Sequence, residues 1–211
     1  TDGIFQNQGE VDAHPSQSAL GAQASPGDIR YVDVNKDGKL DASDRTNIGN
    51  PIPAVVMGLN INFQYKGFDF VIYTFASIGN EMVRNYERVQ PNVNRLSYYM
   101  NRWTGEGTST TIPRLTTAAT SNNIFSDFYV EDASFLRIQN IQLGYTIPQN
   151  FTQKAKIQTL KIYLAVSNPL TVTRYMGYDP SASSGAPIGG GFDQGFYPVP
   201  RTYNIGLNLN F

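Results

Sequence analysis

The sequence predicts an all-β fold whose antiparallel strands belong to a large transmembrane β-barrel with long extracellular loops. Stretches of nine to eleven residues alternate apolar with polar side chains, which is the length and period of a tilted strand that crosses a bilayer. Strands of soluble sandwiches also alternate, but they are usually about five or six residues long. The polar face holds Asn, Gln, Gly and Ser with little charge, as expected beside a wet lumen. The connections are short and long in turn, which is typical of such barrels.

The first two predicted strands form a hairpin. Residues 55–65 alternate strictly, with apolar side chains from Val55 to Tyr65 on one face, and this period of two predicts a strand. Lys66-Gly67 is a two-residue turn signal, and residues 68–77 form a second run rich in Val, Ile, Tyr and Phe. The pair therefore predicts two antiparallel strands joined by a tight turn.

Three further strands are predicted downstream. Residues 135–147 alternate until Pro148, which stops the strand because proline lacks the N–H donor that a sheet needs. Residues 160–167 alternate and are expected to end at Asn168-Pro169. The last strand, residues 203–211, alternates as far as Phe211.

The remaining segments are predicted to be loops. Residues 1–30 are polar and poor in pattern, which indicates a leader or a long loop, while 79–134 and 169–200 are long connections, weakly helical at 81–88 and 94–103. If the C-terminus lies in the periplasm, residues 1–53 and both long connections are extracellular and 54–211 contain the barrel strands. The smallest bacterial barrels have about eight strands, so these five are expected to be the C-terminal piece of something larger.

Composition excludes several classes of function. The chain has 16 basic and 17 acidic residues and a formal charge of −1, so no basic surface for nucleic acid is expected. It has no Cys and one His, which leaves too few ligands for a thiol enzyme or most zinc sites. His14 has no Ser or acid at a recognised spacing, and Glu81, Glu87, Glu131 and Asp132 form no distinctive pair. We therefore expect the chain not to be an enzyme.

One segment, residues 33–44, has the spacing of a calcium-binding loop. Oxygen ligands occupy positions 1, 3, 5, 9 and 12 of this loop, glycine occupies position 6, and position 7 offers a main-chain carbonyl. The ligands in this order are Asp33, Asn35, Asp37, the carbonyl of Lys39, Asp41 and Asp44. A hard cation needs six to eight oxygens, so the spacing predicts a structural Ca²⁺ that stiffens an extracellular loop. The alternative is an Asx-rich turn that needs no metal.

Aromatic residues of the first long connection are weaker candidates for a substrate site. Trp103, Tyr98 and Tyr99, together with Phe125, could stack against sugar rings. The commoner use of such side chains is to bury a long loop against itself. No further substrate residue is identified from the sequence.

Several short motifs then follow one another in a specific order and spacing. They are Gly27-Asp28-Ile29-Arg30-Tyr31-Val32-Asp33, Asp44-Arg45, Ile48-Gly49-Asn50-Pro51, Tyr65-Lys66-Gly67-Phe68-Asp69, Gly79-Asn80, Arg102-Trp103-Thr104-Gly105, Ile112-Pro113-Arg114, Glu131-Asp132-Ala133-Ser134-Phe135-Leu136-Arg137, Leu143-Gly144-Tyr145, Ser167-Asn168-Pro169-Leu170, Gly177-Tyr178-Asp179-Pro180, Tyr197-Pro198-Val199-Pro200-Arg201 and Phe211. Together they resemble the C-terminal region of SusC/RagA-type TonB-dependent outer-membrane transporters. The resemblance covers nearly the whole chain beyond residue 27.

The resemblance implies a barrel of 22 strands with an N-terminal plug, in the outer membrane of a Gram-negative bacterium. It implies import of oligosaccharides or peptides, energised through TonB by way of an N-terminal part that is missing here, and a SusD-like surface lipoprotein as partner. Phe211 and its strand match the signal that the barrel-assembly machinery reads. An alternative that the residues leave open is a secreted, calcium-stabilised β-domain for binding or adhesion, in which the apolar faces of two sheets would pack together.

Overall fold

The computed structural model describes residues 1–89, 94–182 and 190–211, and strands account for most of its regular structure. The strands are β1 (Val55–Tyr65), β2 (Phe68–Ile78), β3 (Glu81–Arg84), β4 (Val130–Asp132), β5 (Phe135–Ile147), β6 (Thr159–Thr173), β7 (Phe192–Asp193) and β8 (Thr202–Asn210). The helices are α1 (Gln8–Ala13), α2 (Asn85–Val89) and α3 (Gln149–Thr152), with 3₁₀ turns at Ser18–Leu20, Ala42–Asp44, Ser97–Asn101, Asp127–Tyr129 and Gln153–Ala155. Within these residue ranges, every helix is too short or too polar to span a bilayer.

The long strands form one antiparallel sheet of five strands in the order β1-β2-β5-β6-β8. The short strands form a second sheet of three strands in the order β4-β3-β7. The predicted all-β class is therefore confirmed at the level of strand content and pairing.

The register of the five-stranded sheet sorts side chains into two faces. One rung of neighbouring residues runs through Ile61, Ile72, Ile141, Val166 and Tyr203. This apolar face is open: for example, Leu207 on it is 64% exposed and Ile205 is 81% exposed. Such exposure of a continuous apolar surface is abnormal for a protein in water.

A second rung shows the composition of the opposite face. It runs through Gln64, Asp69, Gly144, Tyr163 and Gly206. The two faces thus differ in chemistry along the same strands, as the alternating sequence predicted.

The hairpin turn between β1 and β2 has the predicted form. Lys66 and Gly67 both have positive φ, 48° and 84°, and this is the backbone that a two-residue turn requires to match the twist of its strands. The strands that it joins pair from Tyr65 with Phe68 to Val55 with Ile78.

The predicted end of the fourth strand is wrong. β6 continues through Asn168 and Pro169 to Thr173, and it pairs with β5 on both sides of this point. Asn168 takes a φ of 51°. The register shifts at this point, between the pair Asn140–Ser167 and the pair Ile138–Leu170. The extra residue is accommodated as a bulge, where proline's missing N–H does no harm.

Two loop predictions also need correction. The segment 81–88, predicted as weakly helical, is strand β3 followed by helix α2, and 94–103 contains only the 3₁₀ turn Ser97–Asn101. The segment 1–30, predicted as a leader or loop, contains α1 and buries Ile4, Phe5 and Ile29. The long connections 79–134 and 169–200 include residues 90–93 and 183–189, which lie outside the described residues.

The chain divides into two compact units. The first unit comprises residues 1–49 and 83–130, and the second comprises residues 50–82 and 131–211. The first unit has a core of Ile4, Ile29, Tyr31 and Leu40. The second unit contains the five-stranded sheet and a small buried cluster of Met82, Ala133 and Tyr175.

Candidate functional site

Asp28 joins distant segments of the first unit. Its side chain is 3% exposed and accepts hydrogen bonds from Arg114 Nε at 2.8 Å and Arg114 Nη2 at 3.0 Å. Asn122 Nδ2 and Thr120 Oγ1 donate to the same carboxylate at 3.0 and 3.2 Å, and the Ser25 N–H donates at 2.9 Å. Since a buried carboxylate is stable only when it is paired and fully hydrogen-bonded, this network orders the segment 114–122.

A second buried ion pair lies in the same unit. Arg84 and Glu87 are both 2% exposed and in contact, and Arg84 also contacts the Tyr98 hydroxyl and donates to the carbonyl of Phe128 at 3.2 Å. Burial raises the pKa of Tyr98 far above its ordinary value. The hydroxyl therefore stays protonated and donates to Glu87 Oε2 at 2.5 Å.

These two networks border a cavity of about 750 Å³. Glu87, Arg95, Tyr99 and Arg114 line it together with Tyr129. The remaining lining residues come from one segment: Pro113, Leu115, Thr116, Thr117, Ala118, Ala119, Thr120, Asn122 and Asn123. Burial raises the pKa of Tyr99 and of Tyr129, so both hydroxyls are neutral. The volume is in the range of ligand sites.

The predicted metal loop is a network of main-chain hydrogen bonds. Asp33 accepts N–H groups from Lys36 at 2.6 Å and from Gly38 at 2.8 Å through its two oxygens. Asp44 does the same with the N–H groups of Val34 and Asp41, each at 2.9 Å. The bond from Asp41 is the largest cause that lowers the pKa of Asp44. The loop is thereby closed on itself as an Asx-rich turn.

The other four predicted ligands lie in the same loop and also take part in its main-chain hydrogen bonds. Asn35 and Asp37 accept N–H groups of the loop at 3.0 and 2.9 Å, and Asp41 Oδ1 accepts that of Ser43 at 2.7 Å. Lys39 donates one of these bonds through its N–H. Across the described parts of the chain, no three His, Cys, Asp or Glu residues are grouped to hold a metal ion. A bound cation would therefore require these carboxylates to rearrange, and the calcium site stays a prediction.

Leu40 anchors the loop. It occupies the apolar eighth position and is 2% exposed in the core of the first unit. Burying a leucine side chain contributes about 2 kcal/mol. The shape of the loop is thus tied to the core without a metal.

The predicted aromatic residues are packed in different ways. Trp103 lies against the core of the first unit, and its ring sits under Gly27 so closely that a Cβ there would collide with it. Tyr98 is bound to Glu87 as described, and Tyr99 is 5% exposed on the cavity wall. Of the three, Tyr99 alone lines this cavity, and a substrate role for any of them stays a prediction.

On the polar face of the sheet, two glycines leave space that large side chains of neighbouring strands occupy. Lys161 Nζ lies 2.8 Å from Asp69 Oδ2, and a Cβ at Gly144 would collide with both of these side chains. Tyr163 lies over Gly206 in the same way. The glycines give the ion pair and the ring room to lie across neighbouring strands.

Asp179 holds the connection between β6 and β8 against β5. It is 4% exposed and accepts from Arg137 Nη2 at 2.6 Å, from the Ser181 N–H and hydroxyl at 2.9 and 2.7 Å, and from the Val199 N–H at 3.0 Å. Burial alone would raise the pKa of Asp179, but these bonds outweigh it and lower the pKa to about 2. We call these four residues the Asp179 cluster.

The sequence did not predict the contacts of several of these residues. Asp28, Arg137 and Asp179 lie in the motifs that carry the resemblance, but no local spacing connects them with their partners, and Arg95 was not identified. Asp28 and Asn122, for example, are 94 positions apart. Phe211, the predicted assembly signal, is 74% exposed, and its role stays a prediction.

Comparison with known proteins identifies the class. No family model matches the chain. TonB-dependent receptor P3 of Formosa agariphila is 33% identical over 205 residues, covering 92% of this chain and 20% of the receptor. TonB-dependent receptor SusC of Bacteroides thetaiotaomicron is 32% identical over 197 residues, covering 92% of this chain and 19% of SusC. The chain thus spans about a fifth of the length of the curated relatives it matches.

Solved structures agree with the sequence relatives. The RagAB peptide importer in its open-open state matches 86% of this chain and 20% of its own chain, with a TM-score of 0.67 and 26% identity. In its closed-closed state it matches 88% of this chain with a TM-score of 0.66. The fold and sequence together define a TonB-dependent receptor segment.

Within that class, the chain is a homologue of the SusC/RagA type, which confirms the resemblance seen in the sequence. Receptors of this type are outer-membrane proteins of Gram-negative bacteria, and the predicted location is confirmed. The relatives are receptors and importers by name, in keeping with a chain that is not an enzyme.

Proposed function

We propose that this chain forms part of the wall and outer loops of an active importer in the outer membrane. The observation that carries the proposal is the open apolar face of the five-stranded sheet. Side chains such as Phe63, Leu143 and Leu207 are 59%, 49% and 64% exposed on that face. Each square ångström of such surface costs about 25 cal/mol in water, and this cost disappears against lipid tails.

The edges of the sheet support a larger barrel. β1 and β8 are the outer strands of the sheet, and β1 is 11 residues long while β8 has 9. An unpaired main-chain group in the hydrocarbon region costs several kcal/mol, so both edges need partner strands. We propose that the rest of the receptor supplies them and closes a barrel, of 22 strands if the resemblance to the SusC/RagA type extends so far.

The relatives support a proposal for the partners and the cargo. One solved relative is the RagAB peptide importer, and the curated relatives are TonB-dependent receptors. We propose that the whole receptor imports oligosaccharides or peptides, is energised through TonB and pairs with a SusD-like surface lipoprotein. The barrel-assembly machinery would insert it through the strand that ends at Phe211.

Calcium is proposed as a structural ligand of the loop 33–44. The donor set has the chemistry of a calcium site, but Asp33 and Asp44 would have to exchange main-chain N–H partners for the cation. A cation that only stiffens this loop fits the position of Leu40 in the core of the first unit. The metal would take no direct part in import.

The proposal is tested on the intact receptor that contains this chain. We expect the receptor to remain in the membrane fraction after carbonate extraction and to show heat-dependent mobility in detergent gels. Deleting it should abolish TonB-dependent uptake of its cargo, and re-expression should restore uptake. Recovery of the natural protein in the aqueous fraction would overturn the proposal in favour of a secreted binding domain. That alternative needs an apolar face packed against a second sheet, and nothing in the described residues covers it.

A further inference from the structure

Among the described residues, the cavity of the first unit contains one cation, Arg95, that has no acidic partner. Arg95 lines the cavity, and its Nη1 donates to the main-chain carbonyl of Glu87 at 2.6 Å. Its guanidinium lies 5.3 Å from the centre of the Tyr99 ring. Among the residues that the structure describes, no carboxylate lies within ion-pair distance of Arg95.

The other charges at the cavity are already neutralised. Glu87 pairs with Arg84, and Arg114 pairs with Asp28 through two hydrogen bonds. Arg95 therefore leaves the described walls with one net positive charge. A partly enclosed guanidinium held by only one carbonyl and one ring keeps several N–H donors for a ligand.

Glu87 adds an acceptor beside this cation. Its Oε1 is buried and accepts no hydrogen bond in the described part of the chain, whereas its Oε2 is bound to Arg84 and Tyr98. Leaving a buried acceptor without a donor costs about 1–3 kcal/mol. A ligand with an anionic group and a neighbouring hydroxyl or amide N–H would therefore complement both residues.

We infer that this cavity binds a carboxylate group of the cargo, with Arg95 as the residue that recognises it. The carboxylate receives charge-assisted hydrogen bonds from the Arg95 guanidinium, while hydroxyl and amide groups at Thr120 and Asn123 are near enough on the wall to contact the rest of the ligand. The inference deepens the proposed import function and rests on it. Two sources share this chemistry: an acidic sugar and the C-terminus of a peptide.

The experiment measures binding to the intact, detergent-solubilised receptor by titration calorimetry. The probes are trigalacturonate with galactotriose as its neutral counterpart, and N-acetyl-trialanine with its C-terminal amide. We expect at least one acid to bind at least tenfold more tightly than its neutral counterpart, with affinity falling as salt rises. The acid that binds identifies the source.

Variants make the test specific. R95Q should abolish the preference for the acid, whereas R95K should retain most of it. R45Q is the matched control, because Arg45 is exposed in the same unit and does not line the cavity. Thermal unfolding of each variant checks that the receptor is folded.

Equal binding of acid and neutral probes, no binding of either acid, or equal behaviour of R95Q and R45Q would overturn the inference. Uptake by the deletion strain after re-expression of the receptor separates this failure from a failure of the proposed function. If TonB-dependent uptake is normal but the receptor shows no preference for the acidic probes, only the role of Arg95 is overturned.

Discussion

Replacing Asp179 with asparagine is expected to release the connection between β6 and β8 from β5 while the sheet stays paired. Asparagine keeps one acceptor oxygen but removes the charge opposite Arg137, which is 8% exposed. Removing one partner of a buried ion pair leaves the other charge uncompensated, and this is strongly destabilising.

The magnitude follows from the pKa of Asp179. The Asp179 cluster lowers that pKa from 3.8 to about 2, and a tenfold change in an equilibrium corresponds to about 1.4 kcal/mol. Lowering the pKa from 3.8 to about 2 therefore favours the ionised form by about 2.5 kcal/mol, which is about a 60-fold change in the local opening equilibrium.

Hydrogen exchange of the intact receptor measures this opening directly. The N–H groups of Ser181 and Val199 both donate to Asp179, so peptides that contain them should exchange about 60-fold faster in Asp179→Asn. Peptides of β5 and β6 should be unchanged. Asp12→Asn is the control, because Asp12 is exposed and accepts a hydrogen bond from the neighbouring Gln8 side chain.

The same cluster predicts a dependence on pH. Because the folded pKa of Asp179 is depressed, its stabilisation is complete above the unfolded value of 3.8 and is lost as pH falls through about 2. Exchange at Ser181 and Val199 should thus be flat from pH 5 to 8 after correction for the intrinsic rate. Unchanged exchange in Asp179→Asn would refute the assigned role of the carboxylate.

Three further predictions concern the sheet and the loop. Gly144→Ala should destabilise the folded receptor by about 1–3 kcal/mol, because its Cβ collides with the Lys161–Asp69 ion pair. The temperature of the gel mobility shift measures this loss. Gly58→Ala is the control and should be nearly neutral, because its Cβ meets only a carbonyl at 3.9 Å; equal shifts would contradict the packing on the polar face. Leu207→Arg should cost about 2–4 kcal/mol in folding into lipid vesicles, and Asn208→Arg on the other face much less; similar costs would contradict the facing of β8. Chelator should increase protease cleavage within residues 28–50 of the natural protein, and Asp33→Ala should do so without chelator; cleavage that is insensitive to chelator would contradict a bound cation.

The strands were predictable because their signal is local. Alternation over 55–65 and the Lys66-Gly67 turn define the hairpin and its register, since a two-residue loop leaves only one pairing. The same logic placed β5 and β8. Each of these strands has an apolar face and a more polar face, so the residue type at each position indicates the face on which it lies.

The misplaced end of β6 shows where local rules stop. Asn168-Pro169 is a strong turn signal in isolation, yet β6 continues to Thr173 with β5 as its partner beyond the bulge. Beyond the bulge, Leu170 pairs with Ile138 and Val172 with Leu136, and this pairing stabilises the extended strand against the local preference for a turn. Tertiary pairing thus overrides the local turn propensity of Asn168-Pro169.

The cavity could not have been predicted, for a different physical reason. Its walls combine a segment near Glu87, the turn at Tyr99 and the segment 113–123, and Asp28 holds the last of these from 86 to 94 positions away. Closing a loop of this length costs conformational entropy, which the buried hydrogen bonds of Asp28 offset. No period or spacing in the sequence indicates which carboxylate will form these bonds. Once the ion pairs of the described residues are assigned, Arg95 is evident as a cavity residue without a carboxylate partner. Arg95 is therefore the residue at which structure adds most to the sequence.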